Sequence, residues 1–407
     1  MEERIGIQLE EAVEIITQAV RTIEDRERVT LAEAAGRVLA ETCCSDMDNP
    51  PFDRSPLDGY AFCSRDVERA SEEAPAELEV TEILYAGSWY EREIGPGQAV
   101  RIMTGAPIPP GADCVIRQEE VKIPRNDPKT VLIPHPMKAY ENYCFCGEDI
   151  RKGGMLLEKG TSIGYIEQGI LASAGVGSVT VFRRPRIAFY VAGDELQVPG
   201  EELKPGKIYD ANYWLLSGRM AQLGCPPAVS GMMGDDPEAV AARIRSVISQ
   251  VDMVITTGGV SVGDKDIFHQ VLPILGADRL FWRVLMKPGT PAMFALFEGK
   301  PMLHLSGNPF AAAATLELLA RPALEKLTGD RRFSQTWVRA RLADPFRKSG
   351  GRRFVRGRLE DGVVTLPPKE KHASGMLFSM KDCNCLVQIP ASREPMEAGS
   401  EVEALIL

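Results

Sequence analysis

The stretch from Val251 to Phe268, VDMVITTGGVSVGDKDIF, concentrates residue types that bind charged ligands. Its apolar start suits a strand buried on both faces. Gly258-Gly259 then breaks the strand with a turn whose backbone a ligand can approach closely. Ser261, Gly263, Asp264 and Asp266 follow before helical periodicity resumes at Ile267. A strand, a glycine turn and a helix in that order place the turn at the carboxyl edge of an open α/β sheet, where such sheets bind ligands. The N–H groups of the turn suit anionic oxygens, and Asp264 and Asp266 suit a divalent cation or a hydrogen-bond donor of the ligand.

Further segments carry the same chemistry. Met286-Lys287-Pro288-Gly289-Thr290-Pro291 holds Lys287 in a rigid turn that can aim its ammonium at a phosphate or an oxyanion. In LHLSGNPFAAAATLELL, from Leu303, an apolar run ends at Ser306-Gly307-Asn308, and Pro309 after an Asn cap signals a helix start. The exposed amides of that first turn would form a second anion site. Gly193-Asp194-Glu195-Leu196, directly after the apolar RIAFYV, places two carboxylates at the end of another strand. Together these segments favour a phosphorylated ligand. Asp58 before Gly59 in DNPPFDRSPLDGYAF (48–62), Thr104 in RIMTGAPIPPGAD (101–113) and Gly147-Glu148-Asp149 are quieter. By spacing alone, Asp58 and Thr104 are ordinary turn residues.

The elements that must position these residues fall into blocks of different texture. Leu9, Ala12, Val13, Ile16, Ala19 and Val20 keep helical spacing, and Thr30 with Glu33 forms a capping-box pattern. Proline, glycine and short β-like runs dominate from Asp46 to Gly147, and one helix and one strand follow over 148–182. Strands and helices then alternate: RIAFYV, a helix over Asp210–Leu223, a helix over Pro237–Gln250, VDMVIT, a helix over Asp266–Leu275, the strands FWRVL, AMFALF and PMLHL, and a helix over Pro309–Leu327. That alternation predicts a doubly wound α/β sheet domain. WVRARL, RRFVRGRL, GVVTL, NCLVQI and EVEALI are short strands spaced by turns, which predicts a small C-terminal β barrel or sandwich. The expected division is a discontinuous helical/β N-terminal domain (1–52 and 147–183), an irregular inserted β domain (53–146), the α/β domain (184–329) and the β-barrel domain (330–407).

Composition narrows the class. A chain of 407 residues exceeds one hydrophobic core. Its formal charge of −10 argues against nucleic acid, which needs a basic face. No run approaches the ~20 apolar residues of a membrane span, and the acidic, amphipathic start MEERIGIQLEEAVEII does not read as a signal peptide. Nine dispersed cysteines fit reduced thiols in a cytoplasm. The pairs Cys144/Cys146 and Cys383/Cys385 have poor zinc spacing, and four scattered histidines offer no triad.

PPFDRSPLDGYAF, RIMTGAPIPPGAD, GEDIRKGG, GDEL with KIYDAN, VITTGGVSVGDKD, KPGTP and SGNPFAA occur in this order along nearly the whole chain. In that order they resemble the molybdopterin molybdenumtransferases, the MoeA family, which is similar to the E domain of gephyrin. The resemblance implies insertion of molybdate into adenylylated molybdopterin, giving molybdenum cofactor and releasing AMP. It also implies Mg²⁺ and an elongated homodimer in which the N-terminal domains of one subunit cover the sheet domain of the other. Transient contact with the molybdopterin adenylyltransferase and with molybdoenzyme maturation factors would accompany it.

Carried over by motif, the catalytic positions would be Asp58, Thr104, Asp149, Glu195, Asp235, Asp266 and Lys287. Glu195, Asp235 and Asp266 would hold the metal. Substrate would be bound by Gly258, Gly259, Ser261, Gly263, Arg283, Ser306, Gly307, Asn308 and Pro309, with Arg356 in FVRG and Ser374 in HASG from the C-terminal domain. Three positions depart from the family pattern. Arg283 stands where lysine is usual, Ala192 where Thr commonly precedes GDEL, and Ser306 where PGNP has its first proline. Rival readings are a non-catalytic scaffold of the same fold, a tungstate-preferring paralogue and the related adenylyltransferase step. A scaffold would lose the acids, yet Asp58, Asp149, Glu195 and Asp266 all remain. Adenylyltransferases resemble the sheet domain alone.

Overall fold

A computed structural model describes residues 4–261, 266–347 and 349–407. Gly263 and Asp264 of the glycine turn lie outside the described residues. The chain forms two compact units, one of Met1–Arg28, Gly36–Ala40 and Thr180–Leu407, the other of Val29–Ala35 and Glu41–Val179. The expected segment 1–52 is therefore divided. Arg4–Ile7 pairs in parallel with Asp278–Val284 as an edge strand, and Leu9–Ala19 packs on the helix Arg321–Thr328, so the start of the chain joins the sheet. No strand signal precedes Leu9 in the sequence.

The first unit is built on a seven-stranded sheet in the order Arg4–Ile7, Asp278–Val284, Met293–Phe297, Lys300–Leu305, Met253–Thr257, Ile187–Ala192, Val229–Met233. Met293–Phe297 runs antiparallel to both neighbours, because it joins them in consecutive hairpins with no helix between. The central strands Ile187–Ala192 and Met253–Thr257 are buried along their whole length. Their side chains alternate between two cores. Ile187, Phe189, Met253 and Ile255 face the helices Leu9–Ala19, Ala211–Gln222 and the segment from Pro309 to Thr328. Ala188, Tyr190 and Val254 face Pro237–Ile248 and Phe268–Leu275. Helices on both faces confirm the doubly wound expectation.

The last helix is interrupted by a π turn at Leu316–Ala320, just before Pro322. Proline cannot donate to the carbonyl four residues back, and the widened turn accommodates this. Buried Glu317 lies in that turn and pairs with Arg321 at 2.8 Å and Arg219 at 2.6 Å.

The C-terminal segment is a closed five-stranded barrel of Trp337–Leu342, Val363–Thr365, Arg353–Glu360, Cys385–Ile389 and Glu401–Ile406. Ala340, Leu342, Val355, Val364, Val387 and Ala404 fill its interior. The barrel is stitched to the sheet domain at one point that matters for the site: Lys287 donates its N–H to the Arg352 carbonyl at 3.0 Å, and Phe354 donates to the Lys287 carbonyl at 2.7 Å.

The second unit centres on a five-stranded sheet in the order Cys114–Arg117, Gly59–Phe62, Gln98–Ile102, Ala76–Leu84, Thr130–Ile133. Tyr60, Phe62, Leu78, Ile116 and Ile133 form one of its cores. No helix among the described residues is long and apolar enough to cross a membrane, and all nine cysteines are free thiols.

Candidate functional site

Three strand ends converge at the carboxyl edge of the large sheet around a cavity of about 460 Å³. The strand Ile187–Ala192 delivers Gly193 and Glu195, Met253–Thr257 delivers Gly258, Gly259 and Ser261, and Lys300–Leu305 delivers Ser306, Gly307, Asn308 and Pro309. Gly258 is the tightest point. Its φ is +87°, its N–H is bound to the Leu305 carbonyl at 3.1 Å, and a Cβ there would lie 2.2 Å from the Ala192 carbonyl oxygen. Only glycine lets the adjoining strand ends approach this closely.

Carboxylates line the same cavity. Asp194 and Asp235 lock their loops by exchanging bonds: the Asp194 N–H donates to Asp235 Oδ2 at 3.2 Å, and the Asp235 N–H donates to Asp194 Oδ1 at 3.1 Å. Of this pair Asp235 lines the cavity, as do Glu195 and Asp266. Among the described residues, no three acidic, histidine or cysteine side chains are grouped closely enough to hold a metal by themselves. The donors are nonetheless all carboxylate oxygens, the set that suits a hard cation. Mg²⁺ is usually held by one or two carboxylates, several waters and the substrate's phosphates, and this open arrangement fits that mode.

A second cavity of about 260 Å³ adjoins the first, with Ser306, Asn308 and Pro291 common to both walls. Lys287, Arg353, His372 and Ser374 line it. The bridge between Lys287 and the barrel strand at Arg353 brings both cations to one wall. The helix start supplies fewer free amides than its spacing suggested. Pro309 has no N–H, and Phe310 donates its own to the Ser374 carbonyl at 3.0 Å. Asn308 does not cap that helix with its side chain, which instead donates from Nδ2 to Ser374 Oγ at 3.1 Å. The loop is thus tied to the barrel segment rather than left open to an anion.

Of the remaining motif residues, Asp58 and Thr104 meet in the second unit. Asp58 Oδ1 accepts the Thr104 N–H and hydroxyl, each at 2.7 Å, and these bonds hold the Asp58 carboxyl below its usual range. Gly59 fixes this corner, since a Cβ there would fall 1.8 Å from the Ile116 carbonyl oxygen of the paired strand. In the same unit Asp149 accepts Asn49 Nδ2 at 3.2 Å.

Two expected ligand residues lie off both cavity walls. Arg283, in the left-handed region at φ +68°, places its guanidinium over the Trp282 ring at 5.6 Å. Arg356 is fully buried, 4.1 Å over the Phe310 ring, and donates to the carbonyls of Lys371 and Ala373, the latter at 3.2 Å. It braces the segment carrying Ser374. The arginine that reaches the cavity is Arg353, three residues earlier. Arg353 and His372 were not singled out in the sequence, where their signals were a run of basic residues at the start of a barrel strand and the first position of HASG. Asn212 was also missed as a site residue. It sits in the first turn of the helix capped by Asp210, lines the first cavity and donates from Nδ2 to the Gly307 carbonyl at 2.7 Å. Its buried Oδ1 has no protein partner. Asp210 caps that helix by accepting the Tyr213 N–H at 2.9 Å, and burial raises its carboxyl pKa.

Comparison with known proteins gives this arrangement a family. Residues 7–175 match the family description "MoeA N-terminal region (domain I and II)", residues 190–326 "Probable molybdopterin binding domain", and residues 339–407 "MoeA C-terminal region (domain IV)". The chain is similar to the molybdopterin molybdenumtransferase of Bacillus subtilis strain 168, with 34% identity over all of this chain and 95% of that one. It is also similar to the molybdopterin molybdenumtransferase of a Nostoc species, with 35% identity over 94% of this chain and 89% of that one. Among solved structures, the molybdopterin biosynthesis MoeA protein of Pyrococcus horikosii superposes with a TM-score of 0.84 at 32% identity, covering 98% of this chain and 99% of that one. The seven ordered motifs and these full-length matches agree: the chain belongs to the MoeA family of molybdopterin molybdenumtransferases.

Proposed function

We propose that this transferase inserts molybdate into adenylylated molybdopterin, releasing AMP, in an Mg²⁺-dependent reaction in the cytoplasm. The observation that carries the reading is the shared wall of the two cavities. An elongated phosphate-containing ligand along the glycine turn and a small oxyanion beside Lys287 would be neighbours across Ser306 and Asn308.

In this reading the larger cavity takes the nucleotide-pterin adduct. Gly258 and Gly259 let its phosphates approach the backbone, and Asn212 Oδ1 offers an unused acceptor to a donor on the ligand. Glu195, Asp235 and Asp266 would hold Mg²⁺, which when bound neutralises phosphate charge and polarises the bond to be broken. Lys287 and Arg353 hold molybdate, one as a point charge and the other as a planar fork. Ser374 adds a hydroxyl beside them. The active form is a homodimer, with Asp58, Thr104 and Asp149 as further participants.

The direct test measures AMP released from adenylylated molybdopterin with Mg²⁺ and either molybdate or tungstate. Release that depends on the oxyanion is expected. Binding of the adduct with no AMP release under either oxyanion would defeat the proposal and favour the scaffold reading. For the dimer, mixing Asp58→Asn and Asp266→Asn subunits should restore part of the activity that each lacks alone, and a monomer at micromolar concentration would count against it.

A further inference from the structure

His372 belongs to the wall of the smaller cavity and to that of a third one of about 320 Å³ on the barrel side. Its ring lies flat against Phe346, with centroids 5.8 Å apart and planes at 11°. Nε2 is 2.6 Å from the Pro367 carbonyl. A carbonyl can only accept, so Nε2 carries the proton of the neutral ring and Nδ1 is the nitrogen free to gain a second one. The charges around this ring are mostly positive. Arg347 comes from the loop before the barrel strand, Arg353 and Arg356 from that strand, Lys287 from the sheet domain, and Lys369 and Lys371 from its own segment. Glu370 lies on that segment, and among the described residues Asp344 is the carboxylate on the two walls.

We infer that His372 is a proton-coupled specificity residue of the oxyanion cavity: it is neutral while the cavity holds no anion, takes up one proton from solvent at Nδ1 as a dianion enters, and so favours dianionic over monoanionic ligands. This rests on the reading of that cavity as the oxyanion site. The geometry supplies the reason. Burial and the arginines disfavour a further positive charge on the ring. A dianion placed among Lys287, Arg353 and Ser374 reverses the local field and makes the second proton favourable. A monoanion reverses it less. Linkage then requires that dianions bind more tightly as pH falls.

The experiment uses sulfate, which stays dianionic from pH 5.5 to 8.5, with nitrate as the monoanion. Calorimetric titration of the full chain in buffers of different ionisation enthalpy reads the protons taken up per anion. The ring resonances of the four histidines, assigned by single substitutions, read the titration of His372 directly in the wild-type protein. The expected result is sulfate affinity rising about three- to ten-fold from pH 7.5 to 6.0, with uptake of up to one proton and an upward shift of the His372 titration. His372→Gln should bind sulfate without that pH slope, and nitrate should bind with little proton uptake. Sulfate binding with no proton uptake and an unmoved His372 titration overturns the inference while leaving the oxyanion cavity intact. Sulfate and molybdate both failing to bind at any pH overturns the cavity reading itself.

Discussion

Lys287 and Arg353 are partners in a parallel β-bridge that joins the sheet domain to the barrel. Both backbone bonds of the bridge, Lys287 to Arg352 at 3.0 Å and Phe354 to Lys287 at 2.7 Å, lie directly behind the cavity that the two side chains line. The register of the bridge therefore sets the spacing of two cations from different domains. Neither domain alone would hold a tetrahedral oxyanion between a lysine and an arginine.

From that pairing, Lys287→Ala and Arg353→Ala should each weaken molybdate binding by about 1.5–3 kcal/mol, the cost of a lost charged hydrogen bond. Arg353→Lys should recover only part of it, because the planar fork is lost. Arg283→Lys should change molybdate affinity less than two-fold, since its guanidinium lies over Trp282. Equilibrium binding of molybdate to the four variants checks the ranking. A larger effect at Arg283 than at Arg353 would place the oxyanion elsewhere.

Asn212→Ala should act on the other cavity. It removes the donor to the Gly307 carbonyl and the unpaired Oδ1 together. Affinity for the adenylylated pterin should fall by about 1–2 kcal/mol, and molybdate binding in the smaller cavity should hold. Asn212→Asp keeps the acceptor but loses the donor, so it should restore none of the bond to Gly307. Competition with AMP, read separately from molybdate binding, distinguishes the two effects.

The sheet domain and barrel were legible because their signals are local. Apolar runs such as IAFYVA and MVITT sit between turn residues, and the barrel strands alternate in and out. The pairing of Arg4–Ile7 with Asp278–Val284 was not legible, because it joins segments more than 270 residues apart. The site divided in the same way. Residues beside glycine in a strand-turn-helix, such as Glu195 and Ser306, announced themselves. Asn212, Arg353 and His372 did not, since each reaches a cavity only through packing between elements distant in sequence. Arg356 is a mixed case: its type and motif suggested a ligand, and the structure buries it over Phe310 with one terminal nitrogen bonded to two carbonyls while Nε and Nη1 have no protein partner.

Gly258→Ala tests the convergence of the strand ends. The methyl group would meet the Ala192 carbonyl at 2.2 Å, and the residue would still need φ +87°. Backbone cannot yield as a flexible side chain can, so a loss on the order of 2–4 kcal/mol of unfolding free energy is expected. Gly87→Ala is the control, because a Cβ there meets nothing within 4 Å although φ is also positive. Chemical denaturation of the two variants separates crowding from backbone strain, and equal losses would show that strain alone governs Gly258.

His304 gives the fold a defined sensitivity to acid. It is fully buried in the strand behind Ser306, its Nδ1 is 2.8 Å from Thr256 Oγ1, and its ring lies 4.0 Å from that of Phe268. Nε2 has no partner, and burial pushes its pKa down to about 3 from 6.5. The sign follows from proton counting. Between pH 6.5 and 3 the unfolded chain binds a proton at this position that the native chain refuses, so stability falls as pH falls through that window and levels off below it. Above pH 6.5 both states are neutral and the group contributes no pH dependence. From pH 6.5 to 5, before most carboxylates titrate, the loss should be about 2 kcal/mol. His304→Gln should flatten that part of the profile, whatever it costs in stability at pH 8. Denaturant midpoints measured at half-unit steps from pH 8 to 5 decide the matter, and parallel profiles for the two proteins would mean that His304 is protonated in the native state or does not titrate in the unfolded one.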